Sequence, residues 1–266
     1  KKTYDGTKSA GSERPNTALT LTGVVNGDAV TVSYDIGEYT NANAGSGTVE
    51  LTNLHLTGAK AGNYTLDKTT LAVGCSIDKA TLTADMLTFT PTTETYDGSA
   101  KTVTVSLKNS KYTGLGDVTV KYNGAASATN AGTYTITVDV AGNGNFEAVT
   151  GLELGTLEIE KATTMLTITA AENTTYTGTA YAGSRTVDSN VATDGVTYKY
   201  FSDSACTTEV TPINAGDYWV KAFLAETTNY SAATSDAVKF TITPAPLTIT
   251  AKAHSIVYGE APANDG

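Results

Sequence analysis

The stretch Asn130-Ala131-Gly132-Thr133-Tyr134-Thr135-Ile136-Thr137-Val138 decides the fold. Gly132 can take the φ > 0 that a sharp corner needs, and an Asn beside it tolerates such backbone better than most residues. Tyr134, Ile136 and Val138 then alternate with Thr133, Thr135 and Thr137, which is the period of a half-buried strand. Asn214-Ala215-Gly216-Asp217-Tyr218-Trp219-Val220-Lys221-Ala222 is a near copy, and Asn43-Ala44-Gly45 begins a partial one, so the starts lie 87 and 84 residues apart. A fixed period of that size describes an array of similar units.

A tight corner, an inward Tyr and an alternating strand resemble the tyrosine corner of an immunoglobulin-like sandwich. The expected fold class is therefore all-β, a tandem array of small antiparallel Ig-like β-sandwich units. A β-grasp-like unit is the alternative. It would need a helix across the sheet, and no long window repeats apolar residues at helical spacing. Within 266 residues the repeat predicts units at 1–80, 81–162 and 163–245, and a leading strand of a truncated further repeat at 246–266. Units this small bury only about 60–65% of their unfolded surface, so each core is modest.

Four landmarks recur in order. The first is a Tyr-x-Gly turn at Tyr4-Asp5-Gly6, Tyr96-Asp97-Gly98 and Tyr176-Thr177-Gly178, shortened to Tyr258-Gly259 in the tail. The second is an alternating strand beginning at Val30, Val118 and Val196. The third is the Asn-Ala-Gly corner, followed downstream by Asn63-Tyr64, Asn145-Phe146 and Asn229-Tyr230. The fourth is a closing strand that ends at Lys79-Ala80, Lys161-Ala162 and Pro244-Ala245. A new strand follows each junction, at Thr81-Leu82-Thr83-Ala84, Met165-Leu166-Thr167-Ile168-Thr169 and Leu247-Thr248-Ile249-Thr250. That strand belongs either to the unit it opens or to the unit before it. The junctions are read as short and semi-rigid.

In the first unit two alignments match the corner, one at Gly45 and one at Gly62 with Tyr64, and both stay open. The other corner residues are Asn130, Gly132 and Tyr134, and Asn214, Gly216 and Tyr218. Tyr134 and Tyr218 are expected to be buried with their hydroxyls satisfied.

Composition excludes several functions. Net charge is −10 and the pI about 4.6, which argues against nucleic acid or an anionic membrane as partner. No run of 18 apolar residues predicts a membrane-spanning helix. The chain opens Lys1-Lys2-Thr3 without Met and without an apolar run, and reads as an excised piece of a longer polypeptide. The two cysteines, Cys75 and Cys206, fall in different units and make no disulfide framework. His55 and His254 stand apart, so neither a nucleophilic triad nor a zinc cluster is expected. The loop from Asp139 to Asn145 alternates side-chain oxygens but holds one carboxylate, and a hairpin turn accounts for it better than calcium does. No catalytic, cofactor or metal residue is assigned. Lys79 and Lys161 are considered as cross-linking lysines, and Pro244 in the third unit counts against the idea. Tyr181 and Phe201 break the inward pattern and are the candidate ligand-facing aromatics.

Lys2-Thr3-Tyr4-Asp5-Gly6-Thr7, Leu21-Thr22-Gly23-Val24-Val25-Asn26-Gly27-Asp28, and the run from Leu56-Thr57-Gly58 to Asn63-Tyr64-Thr65-Leu66 resemble the YDG-type extracellular repeat of bacterial surface proteins. Units 2 and 3 and the tail resemble the related MBG-type repeats. The resemblance implies tandem modules of large adhesin-like proteins, extracellular, secreted or attached to a bacterial cell wall, without catalysis. The expected function is a stalk or spacer in cell adhesion, each unit roughly 30–40 Å long by its strand lengths. The alternative is a binding module for host glycan, mucin or another surface protein. Neighbouring repeats of the same chain are expected partners.

Overall fold

A computed structural model describes residues 2–10, 19–252 and 255–261. Three sheets repeat one strand order. In the first, Thr31–Tyr39, Gly45–Thr57 and Leu71–Asp78 form an antiparallel meander, and Lys2–Thr3 joins Leu71–Asp78 in parallel. In the second, Val118–Tyr122, Gly132–Val140 and Val149–Glu160 meander, with Thr93–Thr95 parallel to the last. In the third, Thr197–Phe201, Gly216–Leu224 and Val238–Thr243 meander, with Thr174–Thr175 parallel to the last. The sheets are therefore mixed rather than purely antiparallel. A strand of two or three residues carries no alternation, so the parallel member left no mark in the sequence.

A two-stranded ribbon makes the second layer of the later units. Leu87–Thr90 pairs with Thr104–Leu107, and Leu166–Ala171 with Arg185–Ser189. Leu166 and Ile168 share a core with Val220, Ala222, Phe240 and Ile242 from the facing sheet. Phe89 and Val105 pack onto Ile136, Leu157 and Ile159 in the same way. These are two-layer β-sandwiches. Among the described residues there is no α-helix, only the 3-10 turns Ala61–Asn63 and Ala84–Met86, so a β-grasp has no helix to lay across its sheet.

The ribbons also settle the leading strand. For the second unit the expected strand at Thr81-Leu82-Thr83-Ala84 is corrected: Leu82 is buried but residues 81–83 form no strand, Ala84–Met86 is a 3-10 turn, and the leading strand is Leu87–Thr90. Leu87 and Leu166 are buried within the unit they open. Leu247-Thr248-Ile249-Thr250 carries the same alternation but forms no strand, and Leu247 and Ile249 are 93% and 96% exposed.

Register places the corner of the first sheet. Gly132 opens its strand opposite Ile159, and Gly216 opens its strand opposite Ile242. Gly45 does the same opposite Ile77. All three glycines have positive φ: 125° at Gly45, 150° at Gly132 and 159° at Gly216. The Gly62 alignment is thereby corrected. Gly62 lies in the turn Ala61–Asn63, without positive φ, in the loop after the central strand rather than before it.

By contacts the chain forms two compact units, Lys1–Ala162 and Thr163–Gly266. The first holds the first two sheets together with the ribbon of Leu87–Thr90 and Thr104–Leu107, because one cluster of buried side chains runs from Tyr4, Tyr39, Val49 and Leu51 through Ala80 to Val138, Val140 and Phe146.

Candidate functional site

The most elaborate constellation of side chains is the contact between the first two sheets. It starts from the Tyr-x-Gly turn. Tyr4, Tyr96 and Tyr176 each donate their backbone N–H to the last residue of the closing strand, Asp78, Glu160 and Thr243, at 2.8, 2.9 and 2.8 Å. This fixes each turn at the corner end of its sheet. At the first turn Lys2 is 7% exposed, and its ammonium reaches Asp5 Oδ1 at 2.8 Å, the Thr7 carbonyl at 2.8 Å and the Ser9 carbonyl at 2.7 Å. A buried ammonium survives only when its three donors are used in this way. Burial pushes the Asp5 carboxyl up, but the Lys2 and Thr7 bonds outweigh it and hold it below its usual range. In the second sheet Lys101, also buried, pairs with Asp97 at 2.9 Å and draws its carboxyl down.

Against this end of the first sheet sits Asn145-Phe146, from the loop that follows Gly132–Val140. Asn143 Oδ1 accepts the N–H groups of Asn145 and Phe146 at 2.9 and 3.1 Å and holds the dipeptide in place. Asn145 then spends its polar atoms across the junction. Its Oδ1 accepts the Ala44 N–H at 2.9 Å, its Nδ2 donates to Asn43 Oδ1 at 3.2 Å, and its carbonyl accepts the Ala80 N–H at 2.9 Å. The Glu147 N–H returns to the Ala80 carbonyl at 3.0 Å. Phe146 is fully buried, edge-on to the Tyr4 ring at 5.3 Å between centroids, with Tyr112 at 6.2 Å. The Tyr4 hydroxyl accepts the Thr113 N–H at 2.9 Å. Aromatic body, polar tip and amide fork are all satisfied, so the contact is rigid and specific rather than a loose hinge.

Residues 1–71 match the family model of the YDG domain, and residues 85–163 match that of the MBG domain. The chain carries a YDG-type and an MBG-type repeat. No curated protein matches it. Of the contact just described, the socket residues Tyr4, Asn43 and Ala44 lie within the YDG match, the plug Asn145-Phe146 lies with Tyr112 and Thr113 within the MBG match, and Ala80 lies between the two.

The sequence-predicted corner residues do structural work. Tyr134 donates its hydroxyl to the Asn130 carbonyl at 2.8 Å, and Tyr218 to the Asn214 carbonyl at 3.0 Å. Each ring lies across its glycine, so both tyrosines are half-buried instead of buried. The YDG repeat has Gly47 at the matching place and no such bond. Tyr64 instead donates to Asp28 at 2.7 Å and accepts the Val25 N–H at 3.0 Å, closing the opposite end of the YDG repeat.

Phe201 is a core residue, 8% exposed, and so is corrected as a ligand-facing aromatic. Residues 197–201 end in an inward position that their alternation disguised. Tyr181 is half-buried on Phe240, ring centroids 4.1 Å apart, and donates its hydroxyl to the Glu172 carbonyl. Its edge reaches a cleft of about 290 Å³ lined by Glu172, Thr174, Thr177 and Ile213. Arg185 spans the Tyr181, Tyr198 and Tyr200 rings and bonds the Tyr200 hydroxyl. His55 points outward, with Nδ1 on the Asn53 carbonyl at 2.8 Å. The Asp139 oxygens are taken by Lys121 at 2.6 Å and the Gly151 N–H at 2.8 Å. Lys79 is exposed, whereas among the described residues the buried lysines are Lys2 and Lys101. Cys75 and Cys206 are free thiols, and burial pushes Cys75 up.

The sequence reading missed the role of Asn145-Phe146, though its recurrence was visible. It also missed Lys2. The available signal was a Lys two residues before a Tyr-Asp-Gly turn, with the Asp three residues on as its partner.

Proposed function

We propose that the chain is a non-catalytic repeat region of a bacterial surface protein and acts extracellularly as a stalk or spacer in adhesion. Its third sheet and tail then count as further MBG-type repeats. One observation carries the reading: Asn145 and Phe146 are spent on holding one repeat to the next. Removal of Phe201 from the surface supports it further. In a spacer, side chains go to coupling modules, and the solvent face stays polar and acidic.

The test places the chain between a membrane anchor and a reporter peptide on a display cell. Antibody-coated beads are expected to capture these cells better than cells lacking the insert. An unrelated repeat array of equal length is expected to replace it without loss. No gain in capture, or a gain that the unrelated array cannot reproduce, sinks the reading. The cleft beside Tyr181, with an aromatic edge, a carboxylate and threonine hydroxyls, favours a second reading as a glycan or mucin binder. Binding on a glycan array that is lost in Tyr181→Ala, in a chain that stays folded, would establish that reading.

A further inference from the structure

The third sheet builds the same socket as the YDG repeat and leaves it open. Tyr176 occupies the place of Tyr4, with its N–H on the Thr243 carbonyl as that of Tyr4 is on Asp78. Tyr4 is 4% exposed and Tyr176 is 40% exposed. Asn214-Ala215 precede the corner Gly216 as Asn43-Ala44 precede Gly45, and Ala245 follows the closing strand as Ala80 does. Asn145 takes the N–H groups of Ala44 and Ala80. Ala215 and Ala245 are exposed, and among the described residues their N–H groups have no acceptor. Pro244 replaces Lys79, whose exposed side chain takes no part in the contact.

A second observation points the same way. Leu87-Thr88-Phe89-Thr90 and Leu166-Thr167-Ile168-Thr169 each lead into the body of a repeat that buries them. Leu247-Thr248-Ile249-Thr250 repeats the pattern directly behind the open socket, with both apolar side chains in water. Large apolar side chains so exposed favour a position that takes them out of water.

We propose that the corner end of the third sheet is a docking site for the Asn-aromatic loop of another MBG-type repeat, one whose body takes up residues 247–250 as its leading strand. The incoming Asn places Oδ1 on the Ala215 N–H, Nδ2 on Asn214 Oδ1 and its carbonyl on the Ala245 N–H. The following aromatic ring packs against Tyr176. The YDG–MBG contact supplies every one of these pairings. The inference concerns how repeats join, and it stands whether or not the array serves as a spacer.

The test joins a second copy of residues 81–162 to Ala245 of the chain and follows amide hydrogen exchange at Ala215 and Ala245. Both amides are expected to slow on the order of 100-fold, about 2.8 kcal/mol at 1.4 kcal/mol per tenfold. Both are expected to return to their starting rates when the added copy carries N145A and F146A. Unchanged rates beside a protected sheet in the added copy would show a free joint and overturn the proposal. Should the added copy fail to form its sheet, a second copy of residues 163–245, with Asn229-Tyr230 in its loop, is joined instead, and the same outcomes apply. In the unextended chain, slowing with protein concentration would assign the face to a second copy. Slowing on addition of mucin glycans would assign it to sugar. Either result overturns the proposal.

Discussion

Replacing Phe146 by Ala separates coupling from folding in the two repeats of residues 1–162. Phe146 is fully buried between the Tyr4 and Tyr112 rings. An aromatic side chain hides about 150–200 Å² of surface, and at about 25 cal/mol per Å² its removal forfeits roughly 4–5 kcal/mol. Measured core truncations of Phe fall at about 3–5 kcal/mol, with the lower values at sites that collapse into the cavity. The side chains around this site come from two sheets and can close partly over the cavity, so about 3 kcal/mol is the better expectation. Calorimetry of the whole chain reads the effect. Tm of the transition of residues 1–162 is expected to fall by about 6–12 °C, at about 2–4 °C per kcal/mol for a unit of this size. The transition is also expected to split, the YDG repeat melting first. Amide exchange at Ala44 and Ala80, whose acceptors lie on the neighbouring Asn145, is expected to rise before exchange in either sheet. A loss below about 1 kcal/mol with both amides still protected would refute the reasoning, because the ring would then not be what couples the repeats.

Other expectations follow from the same geometry. Tyr134→Phe or Tyr218→Phe removes one corner hydrogen bond and is expected to cost about 1 kcal/mol by urea denaturation, with no change in m-value. Gly6 and Gly98 make a matched pair, both at positive φ. A Cβ on Gly6 would stand 2.3 Å from the Lys111 carbonyl oxygen, whereas one on Gly98 meets only the Tyr96 hydroxyl at 4.0 Å. Gly98→Ala is therefore expected to cost the backbone strain alone, about 1–3 kcal/mol, and Gly6→Ala distinctly more; equal costs would show that the junction gives way. Lys101, Lys121 and Lys239 hold the Asp97, Asp139 and Asp217 carboxyls below their usual range. A depressed folded pKa stabilises above the unfolded value of about 3.9 and loses that contribution as pH falls through the folded value. Melts are expected to be flat from pH 7 to about 5 and to fall below about 4. Asp97→Asn should remove part of that fall, and a loss already complete at pH 5 would contradict it.

What the sequence made legible was whatever a short window can encode. The alternation after Gly132 and Gly216 predicted both central strands, and the Asn-Ala-Gly signature predicted their corners; the Tyr134 and Tyr218 hydroxyls are satisfied as expected, but their rings are half-buried rather than buried. Three things were hidden, each because it is settled by contacts far apart in the chain. The parallel strand before each Tyr-x-Gly turn is too short to have a period, and only the closing strand some 70 residues later defines it. The corner of the YDG repeat was ambiguous because its sequence at Gly47 lacks the Tyr, and only the pairing of Gly45 with Ile77 decides the matter. Most telling is Asn145-Phe146. Read within its own unit it is a loop, and a loop with an exposed aromatic invites a ligand hypothesis. Its ligand is the neighbouring repeat. In a tandem array, recurring aromatics at unit ends are therefore to be tested first against the next unit and only then against an external partner. Tyr176 is where that rule has its next consequence, since its counterpart Tyr4 is covered by such a loop and Tyr176 is not.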